Sequence, residues 1–167
     1  MNPNDILRSI IAVLFYVLLH VLVGRQLVLF DYAFCFIYVG AILTLPYETN
    51  FTALLLIAFV IGLIADTFDN TLGMHTAAAV LVAYLRPVVI RYQMAQKVSE
   101  GRIDLSLRGL GFVPFLSYAL TLLIVHHSAL LFLEASSLGL FSFTLLKIGA
   151  SVVFTMVVLF LTQLFFR

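Results

Sequence analysis

Six stretches of this chain carry no charged side chain, and their spacing constrains the fold more than any motif does. They are Ser9–Gly24, Tyr32–Tyr47, Thr49–Ala65, Asn70–Leu85, Gly109–Leu133 and Ile148–Phe166. A stretch of 16 residues makes ~24 Å of helix at ~1.5 Å per residue, whereas a bilayer core of about 30 Å asks for nearer ~20 residues. The flanking charges therefore belong at the edges of the spans, their long side chains reaching for the interface. Composition leaves little alternative to lipid as the solvent. The chain is 63% hydrophobic and 10% charged, against about 25% charged in ordinary soluble domains. The expected fold is an all-α integral membrane protein, a bundle of about six transmembrane helices in a single polytopic domain over 1–167. The spans fall at about 6–24, 27–46, 50–67, 72–90, 109–133 and 142–166, with a polar loop at 91–108. Five helices, or a re-entrant pair turning at Asp66–Gly73, is the alternative.

Lysine and arginine set the orientation. With six spans, Arg8, Arg91, Lys97, Arg102, Arg108 and Arg167 collect on one side, with Arg86 close to it. The other side holds Arg25 with the acidic Asp31, Asp66, Asp69 and Glu134, and Lys147 near its edge. Excess positive charge marks the cytoplasmic face, so both termini and the 91–108 loop are expected there. That loop reads as topogenic charge at a membrane surface, with docking of a cytosolic partner as the sharper alternative. A net charge of +1 and no basic cluster argue against a nucleic-acid partner. The single cysteine, Cys35, reads as a small packing residue and leaves the redox compartment undetermined. The N-terminal apolar run lacks a small-residue cleavage site and reads as an uncleaved first span.

Little in the chain speaks for catalysis. There is no H-E-x-x-H, no G-x-S-x-G and no glycine-rich phosphate loop before a lysine. His126 and His127 point about 100° apart on a helix, a poor geometry for sharing a metal, and read as an outer-leaflet interfacial pair. Asp66 and Asp69 could share a helical face as a dyad, but the Asn70, Thr71 and Gly73 that follow end the helix there. No enzyme activity, metal or cofactor is expected.

The distinctive stretch is Phe51–Arg91, two apolar segments joined by the polar hinge DTFDNTLG. Ala58, Gly62 and Asp66 recur every four residues and share one face; Ala79 and Ala83 give the second segment a small-residue face. Small residues at this spacing let helices approach closely in lipid. Gly73 supplies the positive φ of a sharp turn. Asp66 reads either as a cap for the following helix through the hinge amides or as a polar anchor for a partner's transmembrane helix. Pro87 should kink the second helix at Arg86, whose side chain is expected to snorkel to the cytoplasmic interface rather than enter a buried ion pair.

The run L-L-L-I-A-F-V-I-G-L-I-A-D-T-F-D-N-T-L-G-M-H-T-A-A-A-V-L-V-A-Y-L, positions 54–85, resembles the signature of the rod shape-determining protein MreD family. The matching positions are Gly62, Leu63, Asp66, Leu72, Gly73, His75, Tyr84 and Leu85, with Pro46 before the helix, and they cover about a fifth of the chain. The resemblance implies a multi-pass protein of the bacterial inner membrane, without catalysis of its own. It also implies a part in peptidoglycan elongation beside the bitopic MreC, the MreB filament, the glycosyltransferase RodA and a class B penicillin-binding transpeptidase. The family is similar in architecture to the six-helix substrate-binding subunits of energy-coupling-factor vitamin transporters.

Two functional readings follow. The first is a scaffold that determines rod shape by holding partner helices, with Ala58, Gly62, Asp66, Gly73, His75, Ala79 and Ala83 as the partner-binding or helix-packing set and Asp31, Asp69 and Arg86 as intramembrane or interfacial polar groups. The second is a substrate-binding subunit of a small-molecule transporter. That reading needs an outward pocket, for which Tyr32, Asp31 and Asp66 are the candidates, and a small-residue docking motif near the cytoplasmic side of helix one, which ILRSIIAV lacks.

Overall fold

Five helices are long and apolar enough to cross a membrane, in a computed structural model that describes residues 3–99, 103–135 and 141–165. They are α1 (Pro3–Leu22), α3 (Phe51–Asp69), α4 (Met74–Gln93), α7 (Phe112–Glu134) and α8 (Phe141–Phe165). The remaining elements are short: β1 (Val28–Leu29), β2 (Ala33–Phe34), α2 (Val39–Thr44), α5 (Ala95–Ser99) and α6 (Leu107–Leu110). The protein is an all-α membrane protein. Its long helices carry bulky aliphatic side chains outward, among them Leu7, Leu14 and Leu18 on α1, each more than half exposed. So large an apolar surface fits hydrocarbon and not water. Arg102 and Arg167, counted among the topogenic cations above, lie outside the described residues.

The expected second span, 27–46, is not one helix. A single 3-10 turn at Gly24–Gln26 leads into a two-stranded hairpin pairing Val28 with Phe34 and Leu29 with Ala33. A short irregular stretch and a turn follow, and only Val39–Thr44 is helical. Its second half is apolar because protein surrounds it: Ile37, Tyr38, Val39, Ala41, Ile42 and Leu43 have no exposed surface. Hydropathy reads burial in protein and burial in lipid alike, and that produced the expectation of a sixth helix.

Non-helical backbone survives at such depth only where its polar groups find partners within the protein. The hydroxyl of Ser151 accepts from the Phe34 amide at 2.9 Å, and that of Thr155 accepts from the Phe36 amide at 3.2 Å. Both stand four residues apart on α8 and serve as a neighbouring strand would. At the far end of the segment, Tyr118 of α7 donates to the Leu43 carbonyl at 3.0 Å, and Arg86 of α4 donates to the Leu45 carbonyl. Gly40 lies against Tyr16 of α1 and Leu159 of α8, where an added Cβ would stand 2.6 Å from the tyrosine ring.

Two clusters of residues define the ends of the bundle. Asp5, Arg8, Pro46, Glu48, Asp104 and Gln163 line a cavity of about 600 Å³ at one end. The start of α1, the α2–α3 connection, the 103–106 segment and the last turns of α8 are thus neighbours. At the other end, His20, Gly24, Asp69, Met74 and Glu134 line a second cavity of about 320 Å³.

Candidate functional site

The α3–α4 hairpin is built from residues close in sequence. Asn50 caps the start of α3, its side chain accepting from the amides of Thr52 and Ala53. The helix ends at Asn70, whose left-handed backbone (φ 55°) closes the last turn, and Gly73 (φ 83°) redirects the chain into α4. Gly73 behaves as its place in the hinge predicts, and Asn70, well suited to the left-handed region, ends the helix where the hinge residues were expected to end it.

Asp66, only 4% exposed, is a cap. Its Oδ1 accepts from the Thr71 hydroxyl at 2.5 Å and the His75 amide at 3.0 Å; its Oδ2 accepts from the Thr76 amide at 2.9 Å and the Thr76 hydroxyl at 2.5 Å. A carboxylate holding two free amides of the first turn of α4 suits both their orphan hydrogens and the helix dipole. With four bonds inside its own hairpin, Asp66 serves the fold, as the capping reading expects.

The small-residue face is likewise used internally. A Cβ added at Gly62 would stand 2.5 Å from the Thr76 Cα and 3.0 Å from the His75 carbonyl oxygen. The backbones of α3 and α4 thus touch where only glycine fits. Ala58, Ala79 and Ala83 have no exposed surface.

Arg86 departs from expectation. It is 2% exposed and does not snorkel. Its Nε donates to the Tyr118 hydroxyl at 3.0 Å and its Nη2 to the Leu45 carbonyl, so backbone carbonyl and phenol replace a carboxylate as its partners. The physical reason is the broken segment 27–46, whose helix α2 ends inside the bundle with carbonyls that need donors. α4 runs without interruption through Pro87 to Gln93.

The four histidines of the chain form a buried cluster that the sequence reading missed. His126 and His127, expected at an outer interface, have no exposed surface, and His20 and His75 are 1% and 4% exposed. His20 Nε2 lies 3.1 Å from Asp69 Oδ2, and His75 Nε2 lies 3.5 Å from the same oxygen. The Tyr38 hydroxyl sits 3.0 Å from His75 Nδ1 and 2.6 Å from His126 Nε2. His127 turns away, with Nδ1 2.8 Å from the Leu123 carbonyl and Nε2 3.0 Å from the Thr155 hydroxyl.

An ionised Asp69 can only accept, so His20 presents Nε2–H to its Oδ2, while His75 Nε2 stands in ion-pair range of the same oxygen without a hydrogen bond to it. The Tyr38 hydroxyl joins His75 Nδ1 and His126 Nε2, so hydrogen bonds run from α7 through Tyr38 to α4, with Asp69 of α3 beside their His75 end. His20 Nδ1 and His126 Nδ1 are the two buried side-chain atoms without a partner among the described residues. No group of three metal-ligating side chains has the geometry to hold an ion, among the described residues. The sequence held one signal of this cluster: every histidine lies in or beside an uncharged apolar stretch.

Asp69 belongs to this cluster, whereas Asp31 does not. Asp31 is exposed at the hairpin tip, where it and Phe30 both take left-handed backbone (φ 61° and 54°). The cavity at this end is lined by Asp69, His20, His75, Arg25 and Glu134 rather than by Tyr32, Asp31 and Asp66. Lys147 rests its ammonium 5.2 Å from the ring centroid of Phe34 and 5.4 Å from that of Phe143. Cys35 is buried, as expected of a packing residue. No family model matches the chain, and no curated protein or solved structure is significantly similar to it.

Proposed function

We propose that this protein is a non-catalytic membrane scaffold of the bacterial cell-wall elongation machinery, MreD-like, that determines rod shape by binding partner transmembrane proteins. The supporting observation is how the 54–85 signature divides on the folded hairpin. Gly62, Asp66, Gly73 and His75 are engaged in building it: close approach, cap, turn and buried hydrogen bond. Leu63, Leu72 and Tyr84 have no such duty and stand 50%, 100% and 57% exposed. The recognition surface therefore lies on the outward face of the hairpin, through Leu63 and Tyr84, and not on the small-residue face.

In this reading the protein sits in the inner membrane with both termini cytoplasmic. Arg8, Arg91, Lys97 and Arg108 provide the positive charge near that end. The partners are an MreC-like bitopic protein and, through it, the RodA–transpeptidase pair and MreB. The test is co-purification from membranes with the MreC-like partner. The double variant Leu63→Ala/Tyr84→Ala should keep its detergent-solubilised fold and lose most of the partner and the rod shape. Retention of both by a folded variant rejects this surface, and the absence of any such partner with the native chain rejects the scaffold.

A further inference from the structure

The cavity beside Asp69 has the character of a ligand site, on grounds independent of the scaffold reading. Three helices bring their C-terminal ends to it: α1 through His20, α3 through Asp69 and α7 through Leu130 and Glu134. The C-terminal end of a helix carries partial negative charge, which favours cations and disfavours carboxylates. Two carboxylates nevertheless occupy these ends. Asp69 Oδ2 takes His20, but its Oδ1 accepts no hydrogen bond, and Glu134 has no partner, among the described residues. Among the described residues Arg25 is the only arginine or lysine lining the cavity, and it spends its Nη1 on the Phe68 carbonyl rather than on either carboxylate. Lys147 lies beyond the wall, over Phe34.

The walls are apolar and aromatic. Phe34 and Phe36 line one side, their rings 6.1 Å apart and nearly parallel, and Met74 and Leu130 complete it. His20, 1% exposed, keeps its unpartnered Nδ1 beside Gly24; a Cβ there would stand 3.2 Å from it. Both residues line the cavity. Its volume of about 320 Å³ is at the lower end of the range of small-molecule sites.

We propose that this cavity binds a small organic cation, an amine or guanidine on a compact apolar body. The cationic head donates to Asp69 Oδ1 and Glu134, where charge-assisted hydrogen bonds are strongest, and the body lies against the phenylalanines, which also favour a cation near their faces.

Three probes of nearly the same shape test this on the full chain in detergent: benzylammonium, benzyl alcohol and benzoate, titrated by calorimetry. Saturable binding of benzylammonium alone is expected, weakened about tenfold by Glu134→Gln, a rim change that leaves the fold intact, and about as much by Asp69→Asn. Asp31→Asn, at the same end but outside the cavity, should leave it unchanged. Equal binding of the alcohol, preference for benzoate, no saturable binding, indifference to Glu134→Gln, or an equal loss with Asp31→Asn each overturns the proposal.

Discussion

The hairpin α3–α4 and the broken segment 27–46 both place polar groups inside an apolar bundle, and they do so in opposite ways. In the hairpin, Asp66 finds all four of its hydrogen bonds within ten residues of itself. The broken segment finds its partners on α4, α7 and α8, at Arg86, Tyr118, Ser151 and Thr155, between 41 and 119 residues away. The hairpin can form as a unit before the rest of the bundle. The segment acquires a satisfied backbone only when three other helices are in place, so its order is a product of assembly.

This contrast can be broken from either side. Arg86→Met should give the largest effect, about 4 kcal/mol, since it removes two bonds from a charged donor and strands the Leu45 carbonyl away from water. The midpoint of dodecyl-sulfate unfolding reads the loss, and amide exchange should rise across residues 38–45 while the hinge stays protected. Asp66→Ala comes next, at about 3 kcal/mol, through the loss of the cap and its four bonds. Its exchange signature should be the reverse, confined to residues 71–77. If Asp66→Ala also releases 38–45, the hairpin is not an independent unit. Thr155→Val is the gentlest, about 2 kcal/mol, because shape is kept while the Phe36 amide and His127 Nε2 lose their partner. Increased exchange at Phe36 without change in the hinge confirms the side-chain substitute for a strand.

The hairpin was legible because its determinants are local. Gly62 four residues before Asp66, and Asp69-Asn70 ahead of Gly73, carry their geometry in their spacing, and helix positions, turn and close-packing face follow from it. Of the two uses open to that face, packing within the fold is the one seen: Gly62 meets the backbone of α4 and Ala58, Ala79 and Ala83 are buried, leaving Leu63 and Tyr84 to meet whatever lies outside. The charge at Arg86 was visible, but its partners were not. A carbonyl freed by a helix that stops early leaves no mark in sequence, so the nearest water was the only partner that reasoning along the chain could assign. His126 and His127 show the same blindness. A helix position next to an interface and one facing a neighbour's tyrosine have identical local sequence.

By itself the sequence determined the solvent, the long helices and the hinge, because hydropathy, charge spacing and turn chemistry act over a few residues and need no knowledge of neighbours. Only the tertiary structure decided that 27–46 is a broken segment, enclosed by protein in its second half, rather than a helix in lipid. It alone decided that three histidines scattered over more than a hundred residues, His20, His75 and His126, meet around Tyr38 and Asp69. Both depend on which surfaces come together, and an apolar residue responds equally to lipid and to protein.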